Sequence, residues 1–293
     1  MSGDLRERIP WNGLTLLKAL AAVEVVIVHA PAYRQIAAYC NPFNVAVTIF
    51  LFVQAFIVFA RLSGGRTAGS YYRPEALARM AVRVIVPWTV AVLLFVVLGF
   101  HYGHSTEYFW NCGAFGPGCY YLMLYLLSYF TLPLIWTALK RCGRWGIPVG
   151  LVLALVLEFL YPLMLGGLRN PALVYRCTPV RYLGVFALAF AAIELQCRAL
   201  SRRVVWTVAG LGVASLALAY VRSLAPDRAL PMPEDFGWWI CHLPYYLFPC
   251  AAAFLLLRAE RFLSRVPSWI LAIGRWSWYV FLAQMVVYAV LAR

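Results

Sequence analysis

The feature that most constrains this chain is a recurrence of apolar stretches close to twenty residues long. They fall at 11–30, 44–60, 84–100, 119–138, 147–165, 180–196, 204–221, 237–257 and 269–291. A bilayer's hydrocarbon core is about 30 Å thick, so a helix needs roughly 20 apolar residues to cross it. Lipid offers the backbone no hydrogen bonds, and a helix satisfies its own. The expectation is an all-α, polytopic transmembrane helical bundle of about 9–10 spans. No repeat or low-complexity tract divides the spans, so residues 1–293 read as a single membrane-embedded domain. Composition agrees: 64% of residues are hydrophobic and 12% are charged, against about 45–50% and about 25% in soluble domains. The opening "MSGDLRERIP" is polar, and the apolar run after it continues to His29 and Pro31. It reads as a retained first span rather than a cleaved signal peptide.

The formal charge is +14, carried by arginine apart from Lys18 and Lys140. In a soluble protein such an excess suggests nucleic acid. Here the arginines sit between spans, so the reading is positive-inside topology and anionic lipid headgroups, with no nucleic-acid partner. Arg6 and Arg8 precede the first span, and Arg61, Arg66, Arg73, Arg79 and Arg83 lie between the second and third. Lys140, Arg141 and Arg144 follow the fourth span, Arg198, Arg202 and Arg203 the sixth, and Arg258, Arg261 and Arg265 the eighth. Alternating helices put all of these on one face, the cytoplasmic one, together with the N-terminus. The opposite loops are poorer in arginine, apart from Arg169 and Arg176. The eight cysteines show no CxxC and no Cys/His metal spacing, so no metal site is expected. Cys112 and Cys119 share an outer loop, where they are either a disulfide or two free thiols.

The first span, "KALAAVEVVIVHAP", holds an ammonium, a carboxylate and an imidazole. Lys18 and His29 are eleven residues apart, about three turns, so they share a stripe about 16 Å long. Glu24 lies about 120–140° away from both and must face another helix. Two plain readings stand beside a functional one. Lys18 can snorkel to the cytoplasmic headgroups, and His29 can cap the outer helix end. Ionisable side chains within a membrane nonetheless mark functional sites by default. The three together describe a polar track ending in a general base. His101 and His104 flank the outer end of the third span. His242, with Trp238, Trp239, Tyr245 and Tyr246, reads as an interfacial aromatic belt. Glu194 is expected to pair locally with Arg198, and Glu158 has no evident partner in the sequence.

"KALAAVEVVIVH" also resembles the opening of the acyltransferase-3 family of integral-membrane O-acyltransferases, which has a basic residue, ten residues, then His. Lys18 takes the position usually held by Arg. "AVTIFLFVQAFIVFARL" resembles that family's second helix, with Gln54-Ala55-Phe56 in place of Ser-Gly-Phe. "RMAVRVIVPW" resembles its Arg-rich approach to the third helix. "CYYLMLYLLSYFTLPLIW", "RYLGVFALAF" and "IGRWSWYVFLAQMVVY" resemble later helices in the same order, with Gln284 where many members have His.

The resemblance implies transfer of an acyl group, usually acetyl, from cytoplasmic acyl-CoA to a hydroxyl of an extracytoplasmic sugar, polysaccharide or lipid-linked glycan. It implies a bacterial inner-membrane location. His29 would then be the general base, with Lys18 near the donor and Glu24 orienting the site. Arg79 and Arg83, four residues apart on one helix face, would hold the donor's phosphates with help from Arg73. Two rivals remain: a transporter or exporter of a polysaccharide precursor, and a catalytically silent synthase subunit.

Overall fold

The computed structural model describes residues 10–30, 39, 41–97, 120–168, 171–196, 200–225, 242–259 and 263–291. Helix α1 spans Trp11–His29. It stops there because the residue before a proline is driven out of the helical region, and Ala30, which precedes Pro31, is extended at ψ 139°. His29 is thereby the last helical residue. Helix α2 spans Ala46–Ser63 and turns out through Gly65, whose φ of 93° favours glycine.

Helix α3 begins at Pro74 and runs through Pro74–Met80, a π-helical turn Ala81–Ile85, and Val86–Val97. Helix α4 spans Tyr120–Arg141, α5 Gly146–Leu165, α6 Leu183–Gln196 and α7 Arg202–Leu224. Helix α8 spans Leu243–Arg258, α9 Ser268–Arg275 and α10 Ser277–Leu291. Among the described residues there is no strand.

All nine apolar segments meet helix, but they are not nine equal spans. Among the described residues seven helices are long and apolar enough to cross a membrane, and α9 with α10, bent by 72° at Trp276, is either an eighth, broken span or a re-entrant pair. Helix α8 has 16 residues, short of the roughly 20 a crossing needs; residues 237–241, expected to begin it, lie outside the described residues.

Helices α2 and α6 lie at the centre, and α7 on the outside. Helix α2 packs on α1, α4, α6 and α8. Its Phe59 meets Trp136 of α4 and Phe190 of α6, with ring centroids 5.1–6.3 Å apart around the triad. Such edge-on contacts add about 0.5–1.5 kcal/mol each beyond area burial. Small residues set the closest approaches, as expected where lipid supplies no hydrophobic drive between helices. Gly150 of α5 faces Ala187 of α6, and a Cβ on Gly274 of α9 would strike the Thr15 carbonyl of α1.

The outer surface is apolar instead of charged. Leu163 and Met164 of α5 and Trp206 of α7 are each about three-quarters exposed. On a water-facing surface these would be a liability; against acyl chains they are the expected lining. The chain is a multi-pass membrane protein surrounded by lipid.

Candidate functional site

A cavity of about 820 Å³ opens between α1, α2, α3, α4 and the α9–α10 break. Lys18 reaches it from α1, Arg61 from the last turn of α2, Arg83 from α3 and Arg275 from the end of α9. Tyr71, Tyr121, Tyr125 and Tyr129 line it as well, and no carboxylate is among its described lining residues. Cations gathered without a counter-charge repel each other, and an anionic occupant relieves that. All four come from the face that the loop charges mark as cytoplasmic.

Local backbone breaks aim these side chains. Pro87 lacks an N–H, and its ring crowds the carbonyl four residues back, that of Arg83. The helix answers by widening: the Val86 N–H donates to the Ala81 carbonyl, five residues back. Such π-turns are rare and gather at functional sites. The widened turn includes Arg83, while Arg79 belongs to the α-helical turn before it. Arg83 lines the cavity, whereas Arg79 stands exposed near the Tyr129 hydroxyl and outside the lining. Of the expected pair, Arg83 is in the cavity lining, and Arg79 lies beside it, near a tyrosine that lines the cavity. Arg73, the exposed N-terminal flank of α3, also lies outside the lining.

Arg61 was missed as a site residue because it reads as a loop charge, and Arg275 because it falls inside the apolar segment 269–291. They converge because α2 ends, and the α9–α10 pair bends, at the same level. The rim is tied by Tyr71, whose hydroxyl donates to the Val58 carbonyl at 3.3 Å, and by Tyr129, whose hydroxyl donates to the Tyr71 carbonyl at 3.1 Å. Burial pushes the Tyr71 hydroxyl pKa up, and the nearby Arg61 offsets part of that, so Tyr71 stays a neutral donor at ordinary pH.

His29 is half-buried, and its Nδ1 lies 2.8 Å from the Val25 carbonyl. A carbonyl only accepts, so Nδ1 carries the hydrogen, and in the neutral ring Nε2 keeps its lone pair. The buried Gln284 carboxamide of α10 lies beside the ring. His29 is not among the cavity's lining residues. Phe281 is the last residue of α10 to line the cavity, one turn before Gln284 on the same helix, which is about 4.5 Å of axial rise.

Glu24 does face another helix, and among the described residues no arginine pairs with it. Its Oε1 accepts the Val45 N–H and the Ala46 N–H, the latter at 2.8 Å. It caps the N-terminus of α2, where a carboxylate meets unsatisfied donors and the positive end of the helix dipole. Its role is to seat α2 against α1.

Glu158 performs a similar task for α8. Its Oε1 accepts the Leu243 N–H at 2.6 Å and the Tyr246 hydroxyl at 3.4 Å, and its Oε2 lies 3.7 Å from Nδ1 of His242. His242 is fully buried at the N-cap of α8, as are Tyr245 and Tyr246, so these three form no interfacial belt. Trp238 and Trp239 lie outside the described residues, as do His101, His104, Cys112 and Cys119. Glu194 pairs with Lys140 of α4 at 2.6 Å; Arg198 lies outside the described residues. Among the described residues, no three His, Cys, Asp or Glu side chains form a metal-binding group.

Fold and site together define a polytopic helical membrane protein with a cationic, tyrosine-lined cavity on one face and a half-buried imidazole near the other. Comparison with protein-family models, with curated proteins and with solved structures found no match.

Proposed function

We propose that this protein is a bacterial inner-membrane O-acyltransferase, taking a short acyl group, such as acetyl, from cytoplasmic acyl-CoA to a hydroxyl of an extracytoplasmic sugar, polysaccharide or lipid-linked glycan. The observation that carries the reading is the cavity: Lys18, Arg61, Arg83 and Arg275 around one space with no described carboxylate in its wall. Arginine forks match phosphate geometry, and coenzyme A is a phosphorylated carrier. The resemblance of the first helix to the acyltransferase-3 family supports the same reading. Arg73 and Arg79 lie outside the cavity lining and are assigned to the approach to its mouth.

His29 acts as the base. Its Nε2 takes the acceptor hydroxyl's proton while the hydroxyl oxygen attacks the thioester carbonyl carbon. The C–S bond then breaks, the ester leaves with the sugar, and the departing thiolate takes the proton back from the imidazolium. The Val25 carbonyl holds Nδ1–H and so keeps Nε2 free for this step. The donor's phosphates stay among the cations while its long arm carries the thioester over the roughly 16 Å between the levels of Lys18 and His29.

The test uses the full chain in vesicles with labelled acetyl-CoA on the cytoplasmic face. Free coenzyme A and label on an oligosaccharide outside are the expected products. His29→Ala should lower transfer by roughly 10²–10⁴-fold while leaving donor binding in place. Oligosaccharide movement without coenzyme A release would make the protein an exporter, and neither signal would make it a silent subunit. Activity should fall on acidification, because protonated Nε2 accepts nothing.

A further inference from the structure

The mouth of the cavity carries two large rings that phosphate binding does not account for. Trp276, at the corner between α9 and α10, is 59% exposed, and Tyr279, one turn further on, is 46% exposed. Both line the cavity beside Arg275. Their ring centroids are 5.2 Å apart at an interplanar angle of 57°, so neither ring lies flat on the other and covers its face. The other aromatic residues of the lining are buried or half-buried. Trp278 and Phe281, for instance, stack on each other with centroids 5.4 Å apart and planes 15° apart.

Trp and Tyr also anchor helices at a membrane interface, and an anchor needs only to meet headgroups. These two border an enclosed space as well. On a regular helix residues 276, 278 and 279 spread over more than half a turn and would face different sides. Here all three line one cavity, together with Arg275 and Ser277, because the chain bends by 72° at this corner.

A flat, uncharged ring face next to a guanidinium suits a nucleobase that carries phosphate. Any base can stack on an aromatic side chain through its own π-face, and phosphate oxygens match the arginine fork. A bare phosphate or pyrophosphate would use the cations and leave the rings without a role. A polyprenyl phosphate has the charge but no flat face to stack.

We propose that Trp276 and Tyr279 form a nucleobase-stacking subsite at the cavity mouth, which holds the adenine of the acyl donor while Arg275 takes an adjoining phosphate. Trp276, the larger and more exposed ring, is the platform, and Tyr279 flanks it. This rests on the acyl-CoA reading and narrows it: the donor is recognised by its nucleotide end, so an acyl group borne on phosphopantetheine alone is a poor donor. Trp276 and Tyr279 are then specificity residues, reading the carrier and not the acyl group.

The experiment measures binding by calorimetry to the full-length protein in nanodiscs. The probes are acetyl-CoA, acetyl-phosphopantetheine, which has the arm but no base, inorganic pyrophosphate, which has charge alone, and a polyprenyl phosphate. Losing one stacked ring should weaken acetyl-CoA by roughly 5–150-fold in Trp276→Ala, and by less in Tyr279→Ala. Acetyl-phosphopantetheine and pyrophosphate should bind both variants as they bind the parent. Trp276→Phe keeps a ring and should keep most of the acetyl-CoA affinity.

Unchanged acetyl-CoA affinity in Trp276→Ala would overturn the subsite. Equal weakening of acetyl-CoA and pyrophosphate would overturn it too, because it would mean that the cavity had deformed. A loss in Trp276→Phe as large as in Trp276→Ala would rule out stacking. Those outcomes leave the acyl-CoA reading standing. If the parent binds polyprenyl phosphate but neither acetyl probe, the donor reading itself fails and the subsite goes with it. Both residues are exposed, so thermal unfolding of the variants should stay within a few degrees of the parent, which separates lost recognition from lost folding.

Discussion

Single side chains in this protein divide between holding helices and facing the cavity, and the two tasks should separate by experiment. Glu24 caps α2 from a half-buried position, so Glu24→Ala should cost about 1–2 kcal/mol of stability, the usual loss for a helix cap. Glu24→Gln, which keeps an acceptor oxygen, should recover part of that. Glu158 is almost wholly buried and serves α8 as well as His242. Removing it takes an acceptor from the Leu243 N–H and the buried Tyr246 hydroxyl, so Glu158→Ala should cost about 1–3 kcal/mol for each donor left unpaired. Thermal unfolding of the three variants in one detergent gives the order, and a Glu158→Ala no worse than Glu24→Ala would mean that those donors find other partners. His29 differs from both carboxylates. Its Nδ1 is tied to its own helix, and among the described residues its ring meets only the Gln284 carboxamide of α10 beyond that, so its replacement should be mild in stability and severe in transfer. The sequence separated Glu24 from Lys18 and His29 by angle alone, and that held. It did not reveal what Glu24 meets, because the partners are backbone N–H groups that every residue carries.

At the level of elements, the irregular turns do most to build the cavity. Pro87 forces the π-turn that carries Arg83. Pro87→Ala restores an N–H and removes the ring clash, so α3 should close to a regular α-helix. Arg83 would rotate by most of a residue step, and donor affinity should fall by about tenfold if one phosphate contact is lost. The change stabilises the helix itself, so a variant that is more heat-stable yet weaker in binding is the expected signature. The break at Trp276 works in the same way, placing Arg275 and Trp278 on either side of a 72° bend. Helix positions were legible in the sequence because a twenty-residue apolar run has few other uses. The breaks were not. A regular helix assumed through 269–291 hides that Arg275 turns into the cavity, and Arg61 passed as an anchoring charge between spans. The cationic character of the cytoplasmic face could be read from composition. Its convergence into one cavity depends on three helices ending at one level, which no single segment records.

For the whole molecule, the reading requires a sidedness: cations and cavity inside, His29 outside, with Phe281 and Gln284 between them. The chain carries its own reporter of that orientation. Cys142 is an exposed free thiol at the end of α4, next to Lys140, Arg141 and Arg144, whereas Cys250 is buried in α8. In a variant that keeps Cys142 as its one cysteine, a membrane-impermeant maleimide should label inverted vesicles and leave right-side-out cells unlabelled. The opposite result would put the basic cavity outside, away from cytoplasmic acyl-CoA. On this reading Phe281, a buried lining residue one turn from Gln284, stands between donor cavity and base. Phe281→Ala should lower stability by about 3–5 kcal/mol, as large-to-small core changes do, and open the cavity toward His29. Longer acyl-CoA chains should then be accepted relative to acetyl-CoA, with the dependence on His29 retained. If chain-length preference is unmoved while the variant still folds, the acyl group passes by another route, and the one-turn gap between Phe281 and Gln284 is a wall, not a gate.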